Sequence, residues 1–172
     1  VSRTQPGVLF AHNDSGDTAR FFAISSTGAR LARYNVTNAT ATDWEDMALG
    51  PCPAGSCLFI GDFGDNGLVR TNLAVFRVTE PTVSFDAGMP TLSVTAEKFA
   101  FEYPNATKRN AETLLVHPLT GDVYVVIKPG LGTPSQVFKF PQPMNSATVA
   151  TLIKVADLSV PTSTDFQLTG GD

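Results

Sequence analysis

The carboxylates of this sequence gather in short turns rich in Gly, Asn and Asp. These are His12-Asn-Asp-Ser-Gly-Asp17, Asp43-Trp-Glu-Asp46 and Gly61-Asp-Phe-Gly-Asp-Asn-Gly67. Hard oxygen ligands in excess, with His12 as the nitrogen candidate and no thiolate, suit calcium better than zinc. Glu45, Asp62, Asp65, Asn66 and Asp14 are the favoured ligands of such a cation. His12, Asn13, Asp43, Asp46, Lys128 and Asp172 are expected on the same ligand-binding face. A cation held there could also polarise a substrate, with Glu45 or Glu112 as the catalytic base. The competing reading is purely local, because Asp, Asn and Gly make tight turns by bonding their own backbone. The Asp62 to Gly67 turn fails as an EF-hand: Gly64 stands at the third ligand position, and Leu73 where the bidentate Glu should be. No GxSxG elbow, HExxH, P-loop or GxGxxG motif occurs.

These groups must be positioned by strands. No eleven-residue window keeps helical apolar spacing free of Gly, Pro or a β-branched run, whereas short β-branched and aromatic runs recur between turns. Such runs include Val8 to Ala11, Leu31 to Val36, Leu73 to Val78, Val123 to Ile127 and Gln136 to Phe140. The chain also repeats itself. Asp43-Trp-Glu-Asp-Met-Ala-Leu-Gly-Pro51 matches Asn110-Ala-Glu-Thr-Leu-Leu-Val-His-Pro118, which places Glu45 and Glu112 at equivalent positions 67 residues apart. Leu73-Ala-Val-Phe-Arg-Val78 likewise matches Ser135-Gln-Val-Phe-Lys-Phe140.

Four-stranded units of this size are the pattern of an all-β protein, a β-propeller of four-stranded antiparallel blades. The expected layout is a blade lacking its first strand over 7–38, complete blades over 42–103 and 108–158, and the start of a fourth over 164–172. In an up-and-down unit the first strand starts, and the second ends, at the same end of the sheet. Glu45, Glu112, Asp172 and the acidic turns would then ring the mouth of a channel, where like charges raise each other's pKa or recruit a cation. Trp44 is expected in the core between blades, and His117 at the surface. Lys128, at a strand end on the same face, is read as an anion contact or a solvated lysine.

The chain has 172 residues, 42% hydrophobic and 16% charged, enough to bury a core. Its formal charge of −4 comes with no basic run, which argues against nucleic acid. No apolar stretch approaches the ~18 residues of a membrane helix. Cys52 and Cys57, in Pro-Cys-Pro-Ala-Gly-Ser-Cys, predict a small disulfide loop and hence a secreted, extracellular or periplasmic setting. Val1 opens a polar stretch, so any export signal is expected to be already removed or to lie outside this sequence.

Taken together, Val8-Leu-Phe-Ala-His-Asn-Asp-Ser-Gly16, Asp43-Trp-Glu-Asp-Met-Ala48, Ile60-Gly-Asp-Phe-Gly-Asp-Asn66, Asn110-Ala-Glu-Thr-Leu-Leu-Val116 and Thr169-Gly-Gly-Asp172 resemble a group of secreted bacterial β-propeller proteins. Their blade pattern is similar to that of phytase-like and gluconolactonase/regucalcin-like propellers. The resemblance implies a divalent ion at the channel mouth, held by Glu45, Asp62, Asp65 and Asn66. Of the basic phosphate-binding residues of a phytase, only Lys108, Arg109 and Lys128 offer candidates. The resulting expectation is a secreted, divalent-metal-stabilised propeller module, with calcium as the expected ion, that binds a small molecule or a protein at its acidic channel face. The alternative is a metal-dependent phosphoesterase or lactonase. Slightly under three blades of a six-bladed ring are present, so the partner is the remainder of the propeller: the same polypeptide, another chain or a second copy.

Overall fold

Alternating β-branched and aromatic runs, punctuated by Gly, Pro and Asn turns, place the chain in strands from near its start. The computed structural model describes residues 1–86, 88–130, 133–159 and 169–170. Thirteen strands occur there. They are β1 (Val8–His12), β2 (Arg20–Ser25), β3 (Arg30–Val36), β4 (Trp44–Cys52), β5 (Gly55–Asp62), β6 (Ala74–Thr79), β7 (Thr91–Val94), β8 (Glu97–Glu102), β9 (Ala111–Val116), β10 (Val123–Ile127), β11 (Ser135–Lys139), β12 (Ala150–Thr151) and β13 (Ile153–Leu158). Among the described residues there is no α-helix, and no helix long and apolar enough to cross a membrane. Asp172 and most of the expected segment 164–172 lie outside the described residues.

The strands form three sheets, ordered β1-β2-β3-β7, β4-β5-β6-β8-β12 and β9-β10-β11-β13. Within each sheet, neighbours that follow one another along the chain pair antiparallel. The β4–β5 turn is tight: Cys52 pairs with Gly55, whose φ of 101° places it in the left-handed region that glycine tolerates. A disulfide joins Cys52 to Cys57 across this hairpin, with the Cα atoms 5.9 Å apart.

Two strands depart from a plain antiparallel meander. β7 leaves the β6–β8 connection to pair in parallel with β3, from Arg33↔Thr91 to Val36↔Val94. β12 leaves the β11–β13 connection to pair in parallel with β8, through Phe101↔Ala150 and Glu102↔Thr151. Each is short, four residues in β7 and two in β12, and its pairing satisfies edge groups of the neighbouring sheet that would otherwise face solvent.

The middle sheet is apolar on both sides, because successive strand residues point to opposite faces. Leu58, Ile60, Ala74 and Phe76 pack with Val8, Phe21, Tyr34 and Val36 of the first sheet. Phe59, Val75, Phe99 and Phe101 pack with Leu114, Val123, Val125 and Phe138 of the third. Edge-to-face ring pairs reinforce the second core, among them Phe101 with Phe140 at 5.3 Å and Tyr103 with Phe138 at 5.0 Å.

Candidate functional site

β4 and β9 open the second and third sheets and lie beside each other. Each begins with a one-residue bulge. Trp44 pairs with Asp62 and Asp46 with Gly61, which leaves Glu45 without a partner residue. Ala111 pairs with Ile127 and Thr113 with Val126, which does the same to Glu112. A bulge re-aims its side chain, so the sequence repeat places two glutamates at equivalent turned-out positions.

Their surroundings differ. Glu112 is 8% exposed and forms an ion pair with Lys128. Glu45 instead meets other acids. One carboxylate oxygen from each of Asp14, Asp43 and Glu45 lies within 4.8 Å of the others. Asp14 is exposed and arrives on the β1–β2 turn, while Asp43 and Glu45 are half-buried at the start of β4. Gly64 lies against the pair: a Cβ there would run into Glu45 Oε1 and Asp43 Oδ2. Its N–H donates to the Asp43 carbonyl at 3.2 Å.

The electrostatics follow from this crowding. Burial pushes the Glu45 carboxyl up to about 7, and Asp43, Glu112 and Asp14 add to the rise while Lys128 opposes it. Burial also raises Asp43, with Arg70 opposing and Asp14 and Asp62 reinforcing. A carboxyl held near 7 is poised to accept a proton or, with its neighbours, to ligate a hard cation.

The other carboxylates named from the sequence are engaged in building the turns. Asp62 is 1% exposed. Its Oδ1 accepts the Asp43 N–H at 2.9 Å and Arg70 Nη2 at 2.7 Å, and its Oδ2 accepts from Thr42 N and Thr40 Oγ1 at 3.3 Å. Asp65, 3% exposed, accepts the N–H groups of Val69 at 2.9 Å and Arg70 at 3.0 Å. Asn66 is exposed and accepts from Asn110 Nδ2 at 3.1 Å. Asp46 ties the two glutamate-bearing strands together, its Oδ2 accepting the Leu114 N–H at 2.7 Å. Asn13 donates to Asp17 at 2.6 Å.

His12 stands apart from the acidic group, its ring edge-to-face with Trp44 at 5.9 Å. Trp44 itself is buried in the core between the first two sheets, with Nε1 donating to the Thr40 carbonyl at 2.8 Å. His117 is exposed in the β9–β10 turn.

Arg70 was not among the residues picked from the sequence, yet it organises the loop. Beyond Asp62, its Nη1 donates to the Gly64 carbonyl at 2.7 Å and its Nε to Asn72 at 3.1 Å. The signal was present as the one arginine closing an acidic, glycine-rich loop. Comparisons with protein-family models, with curated proteins and with solved structures return no match.

Proposed function

We propose that this chain is part of a secreted β-propeller whose acidic channel face holds a divalent cation, calcium by ligand chemistry, and binds a small molecule or protein there. The observation that carries this reading is the contrast between the two bulged glutamates. At Glu112 the repeat supplies its own cation, Lys128, and the residue equivalent to Asp43 is the neutral Asn110. At Glu45 the backbone place of Lys128, whose N–H donates to the Asn110 carbonyl, is taken by Gly64, whose N–H donates to the Asp43 carbonyl, and the neighbours are Asp43 and Asp14. The charge deficit at that one junction favours an external cation with oxygen ligands.

The blade reading draws support from the repeated stacking and from the two end faces. Leu9, Phe22 and Ile24 on the first sheet, and Leu115, Tyr124 and Val137 on the third, are only half-buried, whereas Leu58, Ile60 and Phe76 of the middle sheet are buried. Further sheets on both sides would complete their burial. The disulfide supports an oxidising compartment.

Calcium titration followed by melting temperature, with and without chelator, tests the cation. An unchanged midpoint rejects it. The second reading, a metal-dependent phosphoesterase or lactonase, is favoured by the Glu45 carboxyl near 7, a value suited to a general base. Glu45→Gln assayed on phosphoester and lactone substrates separates the two, since unchanged turnover rejects Glu45 as the base.

A further inference from the structure

The middle and third sheets each send a short segment, taken from just before their fourth strand, to the sheet that precedes them. β7 precedes β8 and covers the outer edge of β3, with Arg33 N donating to the Pro90 carbonyl at 2.9 Å and Thr37 N to the Val94 carbonyl at 3.1 Å. β12 precedes β13 and covers the outer edge of β8, with Leu152 N donating to the Glu102 carbonyl at 2.9 Å. β13 is the fourth strand of the third sheet, and among the described residues nothing pairs with its outer edge. Two apolar side chains beside this edge are also open: Ile153 is 52% and Val155 47% exposed.

We propose that the outer edge of β13 is a docking site for one short parallel strand, supplied by the connection between the third and fourth strands of a further four-stranded sheet. This rests on the propeller reading above and names the contact by which the next blade locks on. Among its described residues a second copy of this chain offers no free connection of this kind. The corresponding connection of the first sheet, 26–29, spans four residues, about 13 Å when extended, and all of it is used to reverse the chain. The β6–β8 and β11–β13 connections are already committed to β3 and β8. Backbone pairing supplies the affinity in this mode, and the row of exposed apolar side chains beside the edge supplies further burial.

Residue-resolved hydrogen exchange on the protein isolated from its native host, beside the 172-residue chain alone, tests the site. The outward-facing amides of β13 are expected to exchange on the order of 100-fold more slowly in the native protein than in the chain alone, matching Arg33 and Thr37. Electron microscopy of the same particles counts the sheets. A closed ring with rapidly exchanging β13 amides overturns the docking strand while leaving the propeller intact. Absence of a ring overturns both, and slow exchange without a ring assigns the edge to a different partner and overturns the proposal as stated.

Discussion

Glu45 and Glu112 occupy the same bulge of two adjacent strands, but only Glu112 carries a lysine partner, Lys128. One fold position is thus present twice with opposite charge balance, an internal control for what the acidic group at Glu45 requires.

The first prediction concerns pH. With the Glu45 carboxyl raised from 4.5 to about 7, the folded chain keeps a proton that the unfolded chain releases between those values. The resulting stability is fully present below about 4.5 and is lost as pH rises through about 7. Melting temperature without calcium should fall across that window, and Glu45→Gln should flatten the fall. Saturating calcium, which favours the carboxylate, should flatten it too. A wild-type midpoint independent of pH between 4.5 and 7 contradicts the geometry.

Lys128→Met leaves Glu112 enclosed without its partner. Because the lysine side chain is 23% exposed, the expected loss is about 1–3 kcal/mol, measured by urea unfolding. Lys128 also holds Glu45 down, so the Glu45 titration, followed by carboxyl NMR, should move to higher pH. No movement would remove Lys128 from the field at the acidic group.

Arg70→Met strips Asp62 of a guanidinium that is itself only 10% exposed. Uncompensated charge buried at that depth costs about 3–5 kcal/mol. Exchange of the amides at 65–70 should accelerate along with the loss. A change below about 1 kcal/mol would show that the N–H groups of Thr42 and Asp43 and the Thr40 hydroxyl suffice to hold Asp62.

Gly64→Ala drives a methyl into Glu45 and Asp43. The two carboxylates must swing aside, at a cost of about 1 kcal/mol or less, and any calcium-induced rise in melting temperature should be lost with their geometry. Retention of the full calcium response would place the cation elsewhere.

Reducing the Cys52–Cys57 bond opens a loop that closes over a sequence separation of five. Chain-entropy arguments put the loss at about 2 kcal/mol. The hairpin is paired along eight positions from Trp44↔Asp62 to Cys52↔Gly55, so any calcium response of the acidic group should survive reduction. Collapse of that response would make the disulfide part of the site.

The sequence made the strands and the bulged glutamates legible for one physical reason: two-residue alternation and a 67-residue repeat both survive in the residue order. It also exposed the disulfide, because two cysteines flanking a Pro-Ala-Gly turn have few other options. Strands β7 and β12 were not legible. Thr91–Val94 and Ala150–Thr151 are four and two residues long, too short for alternation to stand out, and their pairing is decided by an edge supplied from another sheet. The distinction among the carboxylates was hidden for a related reason. Asp62 and Asp14 look alike in a turn, but backbone donors and Arg70 surround one, while Asp43 and Glu45 crowd the other.

The two-faced middle sheet bears on how the molecule comes apart. Both cores borrow a wall from it, and among the described residues the first and third sheets share no core cluster of their own. Either outer sheet can therefore melt while its neighbours persist, but melting the middle one dissolves everything. The chain should behave as a short cooperative array in which nearest-neighbour interfaces, rather than a single central core, set the order of loss. Amides of β5 and β6 would then be the last to exchange, and those of β1 and β13 the first.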